Sequence, residues 1–209
     1  DCIYREGIRN ISAIDIEYAK KFGYTIKLLA IAKEDNNKLE LRVHPTLVPS
    51  SHPMANVNDV FNAIIIKGNA VGELMLYGKG AGDLPTGSAV VGDIISILRN
   101  NVKSSDASVL NDEADFKEVK KSEENESQFY IRLNVKDKAG VLGDTAAIFG
   151  KNNVSIISMT QDVVHQDHAQ LVFITHKSSE KSIKDSLKKI EEIKNVNKIE
   201  SIIRIESFD

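Results

Sequence analysis

Three glycines near the middle of the chain have a spacing that can serve phosphate chemistry. They are Gly78, Gly80 and Gly82 in the stretch LMLYGKGAGDLPTG, where an apolar run precedes them and a helical pattern follows. A glycine turn that leads into a helix lets a phosphate approach backbone N–H groups, because no Cβ blocks the approach. The pattern alone is weak, since it also fits a tight turn onto a helix that begins near Pro85. Dinucleotide-binding folds carry such a turn near their start, and no G-x-G-x-x-G follows a strand within residues 1–60.

Other residues of reactive type give no convincing site. Two of the histidines are closely spaced, but no cysteine cluster accompanies them, so we expect no bound metal. Cys2 is the single cysteine, which excludes an internal disulfide and fits a reducing compartment. Ser88 follows a glycine, but TGSAV lacks the second glycine of a nucleophile elbow. The histidines are His44, His52, His165, His168 and His176.

The overall composition argues against several classes of partner. The 209 residues are 42% hydrophobic and 27% charged, with a formal net charge of −3, which is ordinary for one large or two small globular domains. A slightly acidic chain gives no electrostatic basis for binding nucleic acid or an anionic membrane. No apolar run reaches the roughly 18 residues of a membrane span, and the start of the chain has neither Met nor a signal-peptide pattern. We therefore expect a cytoplasmic protein and interpret the sequence as part of a longer one.

The elements that must position the glycine turn are predicted from periodicity. Ser12 is expected to cap a helix that runs to about Phe22, with Ile11, Ile14 and Tyr18 on its apolar face. Continuous and alternating apolar runs predict strands at 25–33, 38–48, 62–68 and 72–78, and a helical apolar stripe follows Pro85.

The second half of the sequence has a clearer pattern. Residues 104–127 contain eight acidic residues and three lysines with few apolar residues, and predict an acidic linker. Residues 128–209 then read β-α-β-β-α-β, which is the ferredoxin-like arrangement. Its single sheet leaves a face or an edge that a second copy could cover. The strands are predicted at 129–137, 154–163, 168–176 and 196–206, with helices over 141–153 and around Ile183, Leu187, Ile190 and Ile193.

The stretch VKDKAGVLGDTAAIFGKNNVSIISMTQ (135–161) resembles the ACT domain, a ligand-sensing module of amino-acid metabolism. The family usually has Pro-Gly in the turn before the first helix, and this sequence has Ala-Gly. In that family, effectors lie between ACT domains against this loop. Without the resemblance, the glycine serves only the turn and the Asn residues only cap the helix. The resemblance implies effector contacts at Asp137, Ala139, Gly140, Val141 and Leu142, with Asn153 and Gln161 as further polar contacts.

Residues 6–33 and 39–94 resemble the catalytic domain of homoserine dehydrogenases, through HPTLVPSSHPMANVNDVFNAI and the signature GAGDLPTGSAVVGD. The resemblance implies hydride transfer between NAD(P) and homoserine, with Gly80, Ala81 and Gly82 beside the cofactor. The family's Gly-rich fingerprint and catalytic lysine belong to segments with no counterpart here. We therefore assign no catalytic residue, and expect neither a cofactor nor activity for this fragment alone.

The two resemblances together predict an α+β chain: a mixed-sheet catalytic-domain fragment over 1–103, an acidic linker over 104–127 and a ferredoxin-like βαββαβ ACT domain over 128–209. They imply interconversion of L-homoserine and L-aspartate 4-semialdehyde on the route to threonine, methionine and isoleucine, under feedback control by an amino acid, threonine first. They also imply a homo-oligomer, built through the substrate-domain sheet of 25–48 and 62–78 and through ACT pairing.

Two alternatives stay open. The chain could be a non-catalytic amino-acid-binding regulator in which residues 1–103 serve oligomerisation. It could also belong to another dehydrogenase with a C-terminal ACT domain, such as the phosphoglycerate type. The HPTLVPSSHPMANVNDVFNAI segment argues against the second of these.

Overall fold

The computed structural model describes residues 3–35, 37–100, 117–165 and 167–208. The chain divides into two compact units, Asp1–Ala55 with Lys117–Asp209, and Asn56–Phe116. Within the described ranges, no helix is both long and apolar enough to cross a lipid bilayer. In chain order the elements are β1 (Tyr4–Arg5), α1 (Ala13–Lys21), β2 (Tyr24–Asp35), β3 (Lys38–Pro49), β4 (Phe61–Gly68), β5 (Gly72–Lys79), α2 (Asp83–Asn100), β6 (Glu126–Lys136), α3 (Val141–Lys151), β7 (Ile156–His165), β8 (His168–Thr175), β9 (Ser178–Ser179), α4 (Glu180–Glu191) and β10 (Val196–Ile205).

One mixed eight-stranded sheet organises the first unit. Its order is β1-β3-β10-β6-β8-β7, with β2 also paired to β3 and β9 to β6. Neighbouring strands in the order β10-β6-β8-β7 are antiparallel and, with α3 and α4, form the predicted βαββαβ arrangement. Strand β3 extends this sheet by pairing in parallel with β10 at Leu47 and Ile205. The predicted α+β class, with a mixed sheet and a ferredoxin-like second half, is confirmed.

Strand alternation divides the first unit into two apolar cores. Side chains at Phe129, Ile131 and Leu133 point to one face of β6 and pack with Phe149 of α3 and Ile190 of α4.

The side chains that alternate with these along the strands point to the other face of the sheet and form the second core. Tyr130, Val172 and Ile203 pack there against Tyr18 and Ala19 of α1. Helix α1 thus covers one face of the sheet at this core, whereas β7 ends the strand order, and pairing with a second copy through an edge stays a prediction.

Helix α1 begins and ends as its sequence predicts, and its predicted apolar face is inward at Tyr18, with Ile11 and Phe22 packed against the same core. Ser12 caps it through a complete capping box with Asp15, and Gly23, at φ 81°, follows its end. The predicted inward position of Ile14 is wrong, because its side chain is 44% exposed. Asp15 is fully buried in its place, because it forms an ion pair with Arg132 on the sheet.

The two predicted hairpins form in different sheets. Strands β2 and β3 pair along their whole length and join the large sheet, whereas β4 and β5 form a separate two-stranded sheet. Part of the predicted acidic linker runs beside β3, where the Leu39 N–H donates to the Glu118 carbonyl at 2.9 Å. Residues 101–116 lie outside the described residues, and the domain boundaries drawn from the sequence stay a prediction.

The second unit contains the hairpin β4–β5 and helix α2. Both faces of the hairpin are apolar: Ile64 and Leu76 are opposite each other on one face, and Ile65 and Met75 on the other. Helix α2 carries an exposed apolar stripe, which includes Val91, Ile94, Ile95 and Leu98. A hairpin that is apolar on both sides is typical of an element buried on both sides.

Candidate functional site

The loop between β6 and α3 encloses a small cavity. Strand β6 ends at Lys136, and the backbone turns into α3 through Gly140, whose φ of 94° lies in the left-handed region. The cavity has a volume of about 180 Å³, which is about six times the share of one water molecule in the liquid. Six of the seven predicted effector residues line it. The lining consists of Val135, Lys136, Asp137, Lys138, Ala139, Gly140, Val141, Leu142, Gln161 and Leu171.

The polar groups of this cavity suit a zwitterion. The side chain of Gln161 donates from Nε2 to the Asp137 Oδ1 at 3.1 Å, so the carboxylate and the amide are held together at the rim. The first-turn N–H groups of α3, among them that of Leu142, have no acceptor within the helix and carry the positive end of its dipole. A carboxylate is favoured at that helix end and an ammonium group beside Asp137.

The seventh predicted residue, Asn153, lies elsewhere. It follows the C-terminal end of α3, and the 11 residues of that helix separate it from Gly140 by roughly 16 Å. Its φ of 59° is left-handed, and its N–H donates to the Gly150 carbonyl at 3.1 Å. Its geometry is that of a residue ending a helix, and its assignment as an effector contact stays a prediction.

Gly140→Ala is expected to destabilise the fold by about 1–2 kcal/mol, because a Cβ is disfavoured in the left-handed region. An added Cβ would meet no atom within 4 Å, so the cost is purely one of backbone conformation. The control is Gly143→Ala in α3, which also has open space around the added Cβ and should stabilise by up to about 1 kcal/mol. Urea unfolding followed by circular dichroism measures both variants; equal effects would contradict the prediction.

The predicted cofactor turn lies in the second unit. Gly80, Ala81 and Gly82 are exposed and connect β5 to the first residue of α2. Gly82 has a φ of 117°, and its carbonyl accepts from the Thr86 N–H at 3.0 Å, so it caps the helix. An exposed glycine at the N-terminus of an 18-residue helix provides N–H groups that a phosphate can reach. The assignment of these three residues to a cofactor stays a prediction.

A residue of β4 that contacts this turn, Asn62, could be recognised only from the structure. A Cβ added to Gly80 would lie 1.7 Å from Nδ2 of Asn62, so the asparagine side chain occupies the space that the glycine leaves. Asn62 pairs with Gly78 in the hairpin register, which places it next to the turn. In the sequence, Asn62 is part of the segment that resembles homoserine dehydrogenases. Aligning the two strands of the predicted hairpin would have placed it next to Gly78 and so beside the glycine turn.

Within the part of the chain that the structure describes, the histidines lie in separate environments. His44 is buried in β3, and His52 stacks on Phe208 with ring centroids 3.6 Å apart. His168 lies beside Asn197, with Nδ1 and Nδ2 3.0 Å apart. Over the described ranges, no group of three or more His, Cys, Asp or Glu side chains is placed to hold a metal ion.

Comparison with known proteins connects both parts of the chain to one kind of enzyme. Residues 1–95 match the family profile described as homoserine dehydrogenase, and residues 129–195 match that of the ACT domain. The homoserine dehydrogenase of Corynebacterium glutamicum is 39% identical over 99% of this chain and 47% of its own length. That of Neisseria gonorrhoeae is 41% identical over 98% of this chain and 48% of its own length.

Solved structures agree. The crystal structure of a homoserine dehydrogenase from Thiobacillus denitrificans superposes with a TM-score of 0.88 at 35% identity, over 99% of this chain and 48% of that one. The enzyme of S. aureus gives a TM-score of 0.61 at 27% identity, over 99% of this chain and 47% of that one. The chain thus spans about half the length of the relatives it matches. The chain therefore carries a homoserine dehydrogenase family domain over residues 1–95, followed by an ACT domain over residues 129–195.

Proposed function

We propose that this chain is the substrate-domain and regulatory portion of a cytoplasmic, NAD(P)-dependent homoserine dehydrogenase. The enzyme would interconvert L-homoserine and L-aspartate 4-semialdehyde on the route to threonine, methionine and isoleucine. The observation that carries the proposal is the similarity to homoserine dehydrogenases over almost the whole chain. The exposed glycine turn at the start of α2 supports it, because its geometry suits a cofactor phosphate.

The part that this chain would take in the reaction is to position the cofactor. Bound NAD(P) supplies the hydride acceptor or donor. Gly82 would allow the pyrophosphate close to the first turn of α2, and Asn62, packed against Gly80, would hold the turn in place. The exposed apolar stripe of α2 and both faces of the β4–β5 hairpin would be covered by the remainder of the enzyme.

The experiment that tests this activity compares two proteins. The 209-residue chain alone is expected to show no homoserine-dependent reduction of NAD⁺ or NADP⁺ at 340 nm. A chimera that joins the half of the C. glutamicum enzyme not matched here to this chain is expected to catalyse it. Turnover by the isolated chain would contradict the proposed division of labour, and a folded but inactive chimera would contradict the proposed activity.

The ACT domain would supply feedback control. A cavity with a helix N-terminus on one side and Asp137 with Gln161 on the other can bind the carboxylate and the ammonium of one small amino acid. Threonine, an end product of the route, is the proposed effector. We further propose that the enzyme is a homo-oligomer, assembled through the hairpin material of its substrate domain and through pairing of ACT domains.

Threonine is expected to bind the 209-residue chain with heat that isothermal titration calorimetry can measure. Asp137→Asn removes the proposed charge partner of the ammonium and should weaken binding about tenfold to a hundredfold, the usual range for a hydrogen bond to a charged group. Asp93→Asn is the control, because Asp93 is exposed on α2 and does not line the cavity. No heat with threonine would remove the effector assignment, and equal effects of the two variants would remove the role of Asp137.

The competing function is a non-catalytic amino-acid sensor in which residues 1–103 serve assembly. The completeness of the ACT arrangement in this chain favours it for the isolated fragment. An inactive chimera together with retained threonine binding would select this alternative.

A further inference from the structure

Two residues that line the effector cavity have neighbours on the opposite face of the sheet. Gln161 of β7 and Leu171 of β8 pair with each other and line the cavity. The adjacent pair, Asp162 and Gln170, points to the other face, because successive side chains of a strand alternate. That face is the one against which α1 packs. The cavity and α1 are therefore separated by one thickness of sheet.

Both residues behind the cavity are tied to α1. The Tyr18 hydroxyl donates to Asp162 Oδ2 at 2.8 Å, and Lys21 Nζ lies 3.3 Å from the same oxygen. Gln170 Oε1 accepts from Arg132 Nη1 at 3.1 Å, and Arg132 Nε donates to Asp15 at 2.7 Å. Three side chains of α1 are thus linked to the strands behind the cavity. Tyr18 and Lys21 contact Asp162 of β7, and Asp15 is linked through Arg132 to Gln170 of β8.

These contacts are shielded from water on one side only, because the side chain of Asp162 is 43% exposed. Tyr18, Gln170 and Arg132 are all buried. Burial, followed by the hydrogen bond to Asp162, raises the pKa of Tyr18 to about 12, so its hydroxyl stays a donor throughout the physiological range. The same hydrogen bond is the main reason why the pKa of Asp162 is lowered, so the acceptor stays ionised.

We propose that α1 is the element through which occupancy of the effector cavity is transmitted to the homoserine dehydrogenase segment, with Tyr18 and Asp162 as positioning residues. In its effector-dependent part the inference rests on the proposed function. A ligand that engages Asp137 and Gln161 would favour one position of β7 over another, and an effector acts only through such a difference. Helix α1 continues through Gly23 into β2, so its displacement reaches the β2–β3 hairpin directly.

The first test needs no effector. Gln161→Leu removes the bond to Asp137 on the cavity side of β7. If β7 transmits the change, amide hydrogen exchange within residues 13–22 should change by about threefold to tenfold relative to the unmodified chain. Gln128→Leu is the matched control, because this glutamine lies on β6 at the end opposite the cavity and pairs with Ile205. Unchanged exchange in α1 of Gln161→Leu would overturn the inference, whether or not any amino acid binds.

The second test uses threonine. Its binding is expected to change exchange both in residues 137–143 and in residues 13–22. Tyr18→Phe removes only the hydroxyl and should reduce the α1 response at least threefold while the loop response persists. Tyr24→Phe is the control, because Tyr24 borders the same core. An equal α1 response in both variants would overturn the relay through Tyr18. Absence of any response in the loop would instead count against the proposed effector.

Discussion

Asp15→Ala is expected to lower the free energy of unfolding of the first unit by about 3–5 kcal/mol, the usual cost of leaving one member of a buried ion pair without its partner. Asp15 is fully buried and accepts from Arg132 Nε at 2.7 Å, from Tyr130 at 3.1 Å and from the Ser12 hydroxyl at 2.7 Å. Its removal leaves the Arg132 guanidinium buried with Gln170 and Ser12 as its remaining acceptors. It also removes half of the capping box of α1.

Urea unfolding followed by far-UV circular dichroism measures this loss. Glu17→Ala is the control, because Glu17 is exposed on the same helix and should change stability by no more than about 0.5 kcal/mol. The double variant Asp15→Ala with Arg132→Met should recover part of the loss, because an apolar pair no longer buries an unpaired charge. A loss below about 1 kcal/mol in the single variant would show that water enters the site and replaces the carboxylate.

The same ion pair has a defined pH dependence. Burial opposes ionisation of Asp15, but the hydrogen bonds from Arg132 and Ser12 outweigh it and hold the pKa of Asp15 below its ordinary value. A carboxyl group with a lowered pKa in the folded state stabilises fully above the ordinary value, near 3.9. Its contribution is then lost as the pH falls below that value. At neutral pH the pair is therefore intact, and Asp15→Ala should lose its effect only in strong acid.

Because of His44, the free energy of unfolding is expected to be about 2–3 kcal/mol lower at pH 4.5 than at pH 7.5. Burial is the main cause that lowers the pKa of its imidazole from 6.5 to about 4, and the neighbouring charges of Arg204 and Arg42 act in the same direction. The carbonyl of Pro45, 2.8 Å from Nδ1, opposes the shift only in part. The ring is fully buried and lies edge-on to Tyr4.

The sign follows from proton binding. Between about pH 6.5 and pH 4 the unfolded chain binds a proton on this histidine that the folded chain excludes, so stability falls as the pH is lowered through that range. Above pH 6.5 the imidazole of His44 is neutral in both the folded and the unfolded chain, so its effect on stability vanishes.

Urea unfolding at pH 7.5 and 4.5 tests this for His44→Gln, in which the difference between the two pH values should shrink by 2–3 kcal/mol. His176→Gln, at an exposed position, should keep the full difference. The assignment is contradicted if His44→Gln and the unmodified chain lose equal stability on acidification.

The helices and strands could be predicted from the sequence because each depends on neighbouring residues. Ser12 and Asp15 cap α1 from three residues apart, and Gly140 turns the chain directly before α3. The burial of Asp15 on α1 could not be predicted, because its partner is Arg132, 117 residues away. An apolar period alone placed Ile14 inside, whereas its side chain is 44% exposed and the neighbouring Asp15 is fully buried.

The residues that line the cavity were expected from the ACT resemblance over residues 135–161, which covers the loop, helix α3 and the first part of β7. Asp137 and Gln161 meet there because β7 pairs with β8, which in turn pairs with β6, as the predicted βαββαβ order implies. The ties from α1 to the back of that cavity had no sequence signal. They join the first 21 residues to positions beyond 130, and only the folded sheet brings these together.

The pairing of β3 with β10 and the packing of α1 on the sheet bear on how such a chain can evolve. A regulatory module that shares no surface with its enzyme can be exchanged by recombination at the connecting segment. Here, replacing everything after the acidic stretch would remove Arg132, Tyr130 and Ile205 from beneath α1, and an incoming module would have to supply equivalents. The two halves are therefore expected to change together in descent, with substitutions at Asp15 accompanied by substitutions at Arg132. Exchange of the ACT domain for an unrelated module is therefore expected to require matching changes in α1 and in the β2–β3 hairpin.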